Sequence, residues 1–128
     1  FKKRHTSYNV SINGYSWRVV DFKSFIYQYQ EIFFNRFYDF KTPDKAPVIY
    51  DCGANIGLST LFFSSKFPDA KIHAFEPSPL VFKALEQNIK SNKIANVQLY
   101  SKAIWVKNET LEFNEEGADA GSIYAVSD

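Results

Sequence analysis

The chain of 128 residues contains no methionine and a single cysteine, Cys52. One cysteine excludes a disulfide within the chain and any zinc site built from several cysteines. The two histidines, His5 and His73, lie too far apart for a helical metal pair, so we expect no metal site. Because no methionine starts the sequence, we expect it to be a piece of a longer protein.

The chain also lacks an apolar run near the roughly 20 residues of a membrane helix, and it has no signal-peptide pattern. We therefore expect a cytoplasmic protein with no membrane partner. Fifteen Lys and Arg residues face 14 Asp and Glu residues, and this balance gives no electrostatic case for a dedicated nucleic-acid binder. The basic start, Lys2-Lys3-Arg4, is predicted to be a solvated terminus.

Aromatic residues are abundant, with 13 Phe, 8 Tyr and 2 Trp. So many rings exclude a disordered, solvating tail. Together with a hydrophobic fraction of 45%, they predict one ordinary domain with a buried core.

Residues 1–46 are predicted to form a hairpin followed by a helix. The β-type runs 8–12 and 16–20 flank Asn13-Gly14, which is a strong signal for a short hairpin turn. Apolar residues, mostly aromatic, then recur at helical spacing over 22–40. Such a stripe is more often core than a ring-stacking platform for a ligand, so we predict a helix lying on the following sheet.

Residues 47–128 alternate strands with helices, which predicts a mainly parallel sheet flanked by helices. Ser78 before Pro79 favours a helix start there. The predicted strands are 48–50, 71–75 and 96–100, with helices beginning near Leu58 and Pro79. Farther on, we predict β-type runs over 103–106 and 110–113, a turn over 107–109 and a flexible loop over 117–122.

The candidate site lies at two of these strand ends, where open α/β sheets bind their ligands. Gly53 has no Cβ to block a ligand, and Asn55 tolerates a left-handed turn. Gly57 is expected to let the next helix approach the neighbouring strand. Glu76, ending the second strand, can accept both hydroxyls of a ribose. Two simpler alternatives remain open: Asp51 as a turn cap, and Glu76 as an exposed acid.

The glycine pattern argues against a dinucleotide. Its fingerprint would need glycines at 53, 55 and 58, but the chain has Asn55 and Leu58. The Gly-x-x-x-x-Gly-Lys phosphate loop is also absent. An NAD-linked oxidoreductase is therefore disfavoured. An acid at Asp51 suits a cationic amine or sulfonium, which points to S-adenosylmethionine.

Several segments resemble the FkbM-type S-adenosylmethionine-dependent methyltransferases. The paired signal is Asp-x-Gly-Ala-Asn-x-Gly from Asp51 to Gly57 with Phe-Glu-Pro at 75–77. Further similarity is found at Val48–Thr60, His73–Pro79, Asn88-Ile89, Asn92 and Lys102–Ile104. The resemblance covers roughly positions 48 to 125 and implies a Rossmann-like class I methyltransferase fold.

The resemblance also implies roles for particular residues. Gly53, Ala54, Asn55, Gly57 and Pro77 would lie in the cofactor site, with Asp51 at the methionine end, Glu76 on the ribose, and Lys102 and Ala103 near the adenine. The acceptor would be a hydroxyl of a small molecule, either a carbohydrate or a natural product. No residue is identified as the general base. Nothing after residue 103 matches the family's later Lys-Ile-Asp-x-Glu-Gly-like motif, so the fold is expected to be incomplete at its C-terminus.

That missing motif motivates a second hypothesis. The chain would be a non-catalytic, Rossmann-like interaction module or a truncated cofactor-binding fragment. Its aromatic helix would then pack on a partner or on a second copy in a homodimer. Cys52 invites a nucleophile role, but beside Asp51 we expect it to pack as a small hydrophobe.

Overall fold

The computed structural model describes residues 6–108, 110–115 and 121–125. The basic segment Lys2-Lys3-Arg4, His5 and positions 117–120 of the predicted loop lie outside the described residues. The elements are β1 (Tyr8–Ile12), β2 (Tyr15–Val19), α1 (Phe22–Tyr29) with a π-helical continuation (Gln30–Phe34), β3 (Val48–Cys52), α2 (Leu58–Lys66), β4 (Lys71–Phe75), α3 (Pro79–Ser91), β5 (Val97–Tyr100), β6 (Leu111–Glu115) and β7 (Gly121–Ala125).

The predicted hairpin is confirmed. Strands β1 and β2 pair antiparallel, with Ile12 opposite Tyr15. The two connecting residues, Asn13 and Gly14, have φ values of 50° and 81°, as a tight turn with left-handed residues requires. Asp21 then caps α1, because its side chain accepts hydrogen bonds from the first backbone N–H groups of the helix.

The prediction of one helix through Phe40 is wrong. The helix widens into a π-helical turn after Tyr29 and ends at Phe34. Arg36 has a φ of 54°, a left-handed conformation that stops a helix. As a result, Phe37 is 68% exposed although the predicted stripe made it core.

The parallel sheet is confirmed, with strand order β3-β4-β5 and both pairs parallel. Ile72 and Ala74 at the centre of β4 are fully buried. Helix α3 begins at Pro79 as predicted, with the Ser78 side chain accepting a hydrogen bond from the Val81 backbone N–H. Aromatic and aliphatic side chains of β2, α1, α2 and α3 form one core, so the hairpin and α1 are packed onto the α/β unit.

Two predictions for the last part of the chain are wrong. Positions 103–106 do not form a strand, and Ile104 and Val106 are 53% and 86% exposed. No strand pairs with them among the described residues, so their apolar side chains have no sheet to join. Gly121 and Ser122, predicted as loop, instead begin β7, which pairs antiparallel with β6.

Asn88 of α3 and Asn92, which caps the end of this helix, complete the open edge of β2. The Asn88 amide accepts from the Arg18 N–H at 2.6 Å and donates to the Arg18 carbonyl at 3.0 Å. Asn92, one helical turn later, makes the same pair of bonds with Ser16 at 2.9 and 2.8 Å. Asn88 also donates to the Ile56 carbonyl at 2.9 Å. These side chains replace the missing neighbour strand and join the hairpin to α3 and to the segment after β3.

We predict that Asn88→Ala destabilises the protein by about 2–4 kcal/mol, because it leaves buried backbone groups of Arg18 and Ile56 without partners. Asn92→Ala should cost only about 1 kcal/mol, since water reaches this partly exposed side chain. Urea unfolding measures both effects.

The matched control is Gln87→Ala, an exposed position on the same helix, which should change stability by less than about 0.5 kcal/mol. Equal effects at Asn88 and Gln87 would contradict the edge-completing role of Asn88.

Candidate functional site

The segment between β3 and α2, residues 53–57, is called the β3–α2 loop below. Three of its residues have positive φ: Gly53 at 84°, Asn55 at 51° and Gly57 at 103°. A Cβ on Gly53 would meet nothing within 4 Å, so this glycine faces open space. A Cβ on Gly57 would lie 3.0 Å from Leu85 Cδ1. The close approach at Gly57 is therefore to α3, and the expected approach to the neighbouring strand is wrong.

Every backbone N–H group of the β3–α2 loop donates within the protein. Those of Gly53 and Ala54 both donate to the Phe75 carbonyl at 2.9 Å. The Asn55 N–H donates to Glu76, the Ile56 N–H to the Asn55 side chain and the Gly57 N–H to the Ala54 carbonyl. Glycine loops that bind phosphate direct such groups at the anion. In the β3–α2 loop these N–H groups already donate to acceptors within the protein.

Glu76 lies directly after β4 and is 7% exposed, so the alternative of an exposed strand-end acid is wrong. Its Oε2 accepts from the Asn55 N–H at 3.0 Å, and its Oε1 accepts from the Ser78 N–H at 2.9 Å. Glu76 therefore holds the β3–α2 loop against the start of α3, with its carboxylate at the end of β4.

Asp51, the next-to-last residue of β3, is 7% exposed and lies beneath the start of α2. Its Oδ2 accepts from the hydroxyls of Ser59 and Thr60, both at 2.8 Å. Burial raises the pKa of Asp51, although the two hydroxyl bonds oppose that shift. The carboxylate thus fixes the first turn of α2, close to what the turn-cap alternative predicted.

A cleft of about 400 Å³ opens above the β3–α2 loop. Its floor comes from Gly53, Ala54 and Asn55, together with Ser59 of α2. The opposite wall comes from the N-terminal helix and the turn after it, through Tyr27, Gln28, Glu31, Ile32, Phe37 and Tyr38.

Sequence reasoning missed this wall because it assigned the aromatic helix to the core. The helix does bury Phe25 and Ile32, but Tyr27 is 64% exposed and Tyr38 is 51% exposed. A signal was present in the spacing. Tyr27 and Glu31 are one helical turn apart and fall outside the buried stripe, as expected of a second functional face.

The remaining predicted residues are close to the same sheet edge but do not line the cleft. Pro77 follows β4, while Lys102 and Ala103 follow β5, and parallel strands bring these ends to one edge. Lys102 is exposed and Ala103 is half-buried.

The prediction that Cys52 packs as a small hydrophobe is wrong, since its side chain is exposed. It lies on the sheet face that also presents Val48 and Tyr50, which are 57% and 64% exposed. Successive side chains of β3 point to opposite faces of the sheet. Asp51 is therefore buried on the face that the helices cover, and Cys52 lies on the exposed face.

In the described ranges, no group of three or more His, Cys, Asp and Glu side chains could hold a metal ion. None of the helices in that part of the chain is long and apolar enough to cross a membrane.

No family model matches the chain. Methyltransferase sdnD of Sordaria araneosa is 45% identical over 64 residues, which are 50% of this chain and 25% of that protein. The 31-O-demethyl-FK506 methyltransferase FkbM of Streptomyces tacrolimicus is 41% identical over 69 residues, 52% of this chain and 26% of that protein. The matched part of the chain thus spans about a quarter of the length of these curated relatives.

The crystal structure of M. jannaschii TYW2 in complex with AdoMet matches with a TM-score of 0.52 and 22% identity, covering 77% of this chain and 44% of that one. At 22% identity the similarity shows the fold alone. It confirms the predicted Rossmann-like class I methyltransferase fold. The sequence resemblance is confirmed by the two relatives. The chain has the class I methyltransferase fold and is similar in sequence to named methyltransferases, FkbM among them.

Proposed function

We propose that this chain is the S-adenosylmethionine-binding part of a methyltransferase that acts on a hydroxyl oxygen. The observation that carries the proposal is the β3–α2 loop, open at Gly53 and bonded through Asn55 to the buried carboxylate of Glu76. Two relatives are named as methyltransferases, and the TYW2 neighbour was solved with AdoMet, which supports the same cofactor.

The electrostatics of the site favour a cationic cofactor over a dinucleotide. The loop has its N–H groups engaged, so it is not prepared for a pyrophosphate. Glu31 lines the cleft, and the buried carboxyl groups of Asp51 and Glu76 lie at the adjoining strand ends. S-adenosylmethionine carries an ammonium and a sulfonium, which such carboxylates attract.

We assign a place to each part of the cofactor from the order of the strands. We assign the ribose to Glu76 at the end of β4, because its carboxylate can accept hydroxyl donors. Lys102 and Ala103, after β5, would flank the adenine on one side. The β3–α2 loop and its cleft lie on the other side and would receive the methionine. In this assignment, residues 47–128 are the cofactor-binding part and 1–46 are a lead-in that supplies the cleft wall.

When bound, S-adenosylmethionine supplies a methyl group activated by the attached sulfonium. The chain's own contribution is then chiefly positioning, since alignment of reacting groups lowers a barrier by several kcal/mol. Glu76 and the β3–α2 loop fix the cofactor's orientation, and Asp51 keeps the first turn of α2 in place through Ser59 and Thr60. The acceptor proton is assigned to no residue.

For the acceptor, we propose a hydroxyl of a small natural product or carbohydrate. The relative from Streptomyces tacrolimicus is named for methylation at an oxygen of the FK506 skeleton, which supports this class. Methyl transfer by the full-length protein to hydroxylated small molecules, followed by mass spectrometry, tests the proposal. An acceptor methylated at nitrogen or carbon would overturn the oxygen assignment.

Glu76→Ala is expected to weaken S-adenosylmethionine binding by about 1–3 kcal/mol, roughly 5- to 150-fold, because bonds to the charged carboxylate are lost. Isothermal titration calorimetry on the full-length protein measures the affinity. Glu86→Ala, on the exposed side of α3, is the matched control and should bind as the wild type does.

Since Glu76 also holds the β3–α2 loop, thermal unfolding of the variant is recorded in parallel. A folded Glu76→Ala protein with unchanged affinity would show that the ribose assignment is wrong. No binding to the wild type at millimolar cofactor would overturn the proposed function itself.

Asp51→Asn is expected to raise stability at neutral pH relative to the wild type while weakening cofactor binding. A raised carboxyl pKa means that the folded state holds the proton more tightly than the unfolded state. The wild type therefore loses stability as the pH rises from about 3.9 through the folded pKa, and the variant escapes that loss.

Urea unfolding from pH 4 to pH 7 checks this, and the stability advantage of Asp51→Asn should grow with pH and then level off. Losing the negative charge near a cation should cost about 1 kcal/mol of binding, roughly fivefold. The control is Asp69→Asn at an exposed turn. A stability difference that shrinks as the pH rises would refute the burial argument.

A further inference from the structure

Glu31 is a cleft residue to which neither the sequence motifs nor the site at the strand ends assigns a role. It lies in the π-helical turn after α1 and lines the cleft opposite Gly53 and Asn55. Its Oε1 accepts from the Asn35 side-chain amide at 3.0 Å. Within the described residues, no ion pair to Glu31 is formed. The cleft therefore contains a carboxylate held in place by a neutral donor.

Two cationic side chains, Arg36 and Lys66, pair with another residue. The Arg36 guanidinium pairs with Asp39 at 2.8 Å and lies 5.5 Å from the ring centre of Phe62. Lys66 pairs with the same Asp39 and with the Phe40 carbonyl. Asp39 thus pairs with both cations, and neither of them pairs with Glu31.

The element that carries Glu31 is firmly attached to the fold. Phe25 and Ile32, on either side of it in sequence, are 2% and 4% exposed in the shared core. The Phe33 ring packs edge-on against the Phe62 ring of α2, with centroids 6.0 Å apart. A carboxylate on such a buried backbone is pre-organised, so little ordering opposes binding.

The order of the strands indicates which ligand group reaches Glu31. With the ribose at Glu76 on β4 and the adenine toward β5, the remaining arm extends past β3 into this cleft. Neighbouring strands lie about 4.8 Å apart. The cleft beside β3 is therefore within reach of the short amino-acid arm of a cofactor whose ribose lies at the end of β4. In S-adenosylmethionine that arm ends in an ammonium and a carboxylate.

We propose that Glu31 binds the ammonium group of the cofactor's methionine. The inference rests on the proposed function and deepens it, because it assigns a cofactor contact to the lead-in helix. A carboxylate attracts the ammonium and repels the neighbouring carboxylate, so the contact also orients the arm. An ammonium group donates hydrogen bonds, so it needs an acceptor, and the Glu31 carboxylate is the acidic side chain that lines the cleft.

The test compares Glu31→Gln with the wild type in the full-length protein, using four ligands in calorimetry. S-adenosylmethionine and S-adenosylhomocysteine carry both end groups, decarboxylated S-adenosylmethionine carries the ammonium alone, and 5′-methylthioadenosine carries neither. We expect the variant to lose at least tenfold in affinity for the first three and less than twofold for the fourth. Glu86→Gln is the matched control and should change none of them.

Equal weakening of all four ligands would overturn the proposal, because Glu31 would then act on the fold of the cleft. Unchanged affinity for decarboxylated S-adenosylmethionine would also overturn it, because the ammonium would be bound elsewhere. If the wild type binds none of the four, the proposed function fails. If it binds them all and Glu31→Gln changes nothing, this inference alone fails.

Discussion

The carboxylate of Glu76 joins the two strand ends on which the site depends. One oxygen accepts from the Asn55 N–H in the β3–α2 loop, and the other accepts from the Ser78 N–H at the start of α3. A buried carboxylate is stable only when its oxygens accept hydrogen bonds. The loop therefore stabilises the carboxylate of Glu76, and the carboxylate in turn holds the loop in its conformation. This constraint also explains the left-handed Asn55, which turns the backbone N–H toward the neighbouring strand.

The lead-in segment is attached by a different polar device. Asn88 and Asn92 satisfy the open edge of β2, and Asn88 also bonds the Ile56 carbonyl in the β3–α2 loop. The Asn88 side chain therefore connects the hairpin, α3 and the β3–α2 loop through its hydrogen bonds. Because α1 follows β2 and packs in the same core, this attachment also determines where the wall of the cleft lies.

The sequence was sufficient for much of the architecture. Alternating apolar patterns and turn residues predicted the hairpin, the parallel strands and the start of α3 at Pro79. The paired signal around Asp51 and Glu76 predicted residues that do lie at neighbouring strand ends. Local patterns of this kind are visible because they repeat over several residues.

The errors come from features that depend on distant partners. The helix was expected to continue to Phe40, but a left-handed Arg36, paired with Asp39, ends it. Strand β7 exists through its pairing with β6, which turn-like glycine and serine residues did not indicate. Glu31 was overlooked because its spacing shows only that it lies outside the buried stripe, while the other side of the cleft comes from a distant segment. Hydrophobic periodicity identifies the buried face of a helix more readily than it shows the function of the exposed face.

The most direct test of this account is a crystal structure of the full-length protein with S-adenosylhomocysteine. The account predicts ribose hydroxyls within hydrogen-bond distance of Glu76 and the amino-acid arm in the cleft above Gly53. A ligand bound away from the carboxyl ends of β3 and β4, with the Glu76 carboxylate contacting only protein, would contradict it.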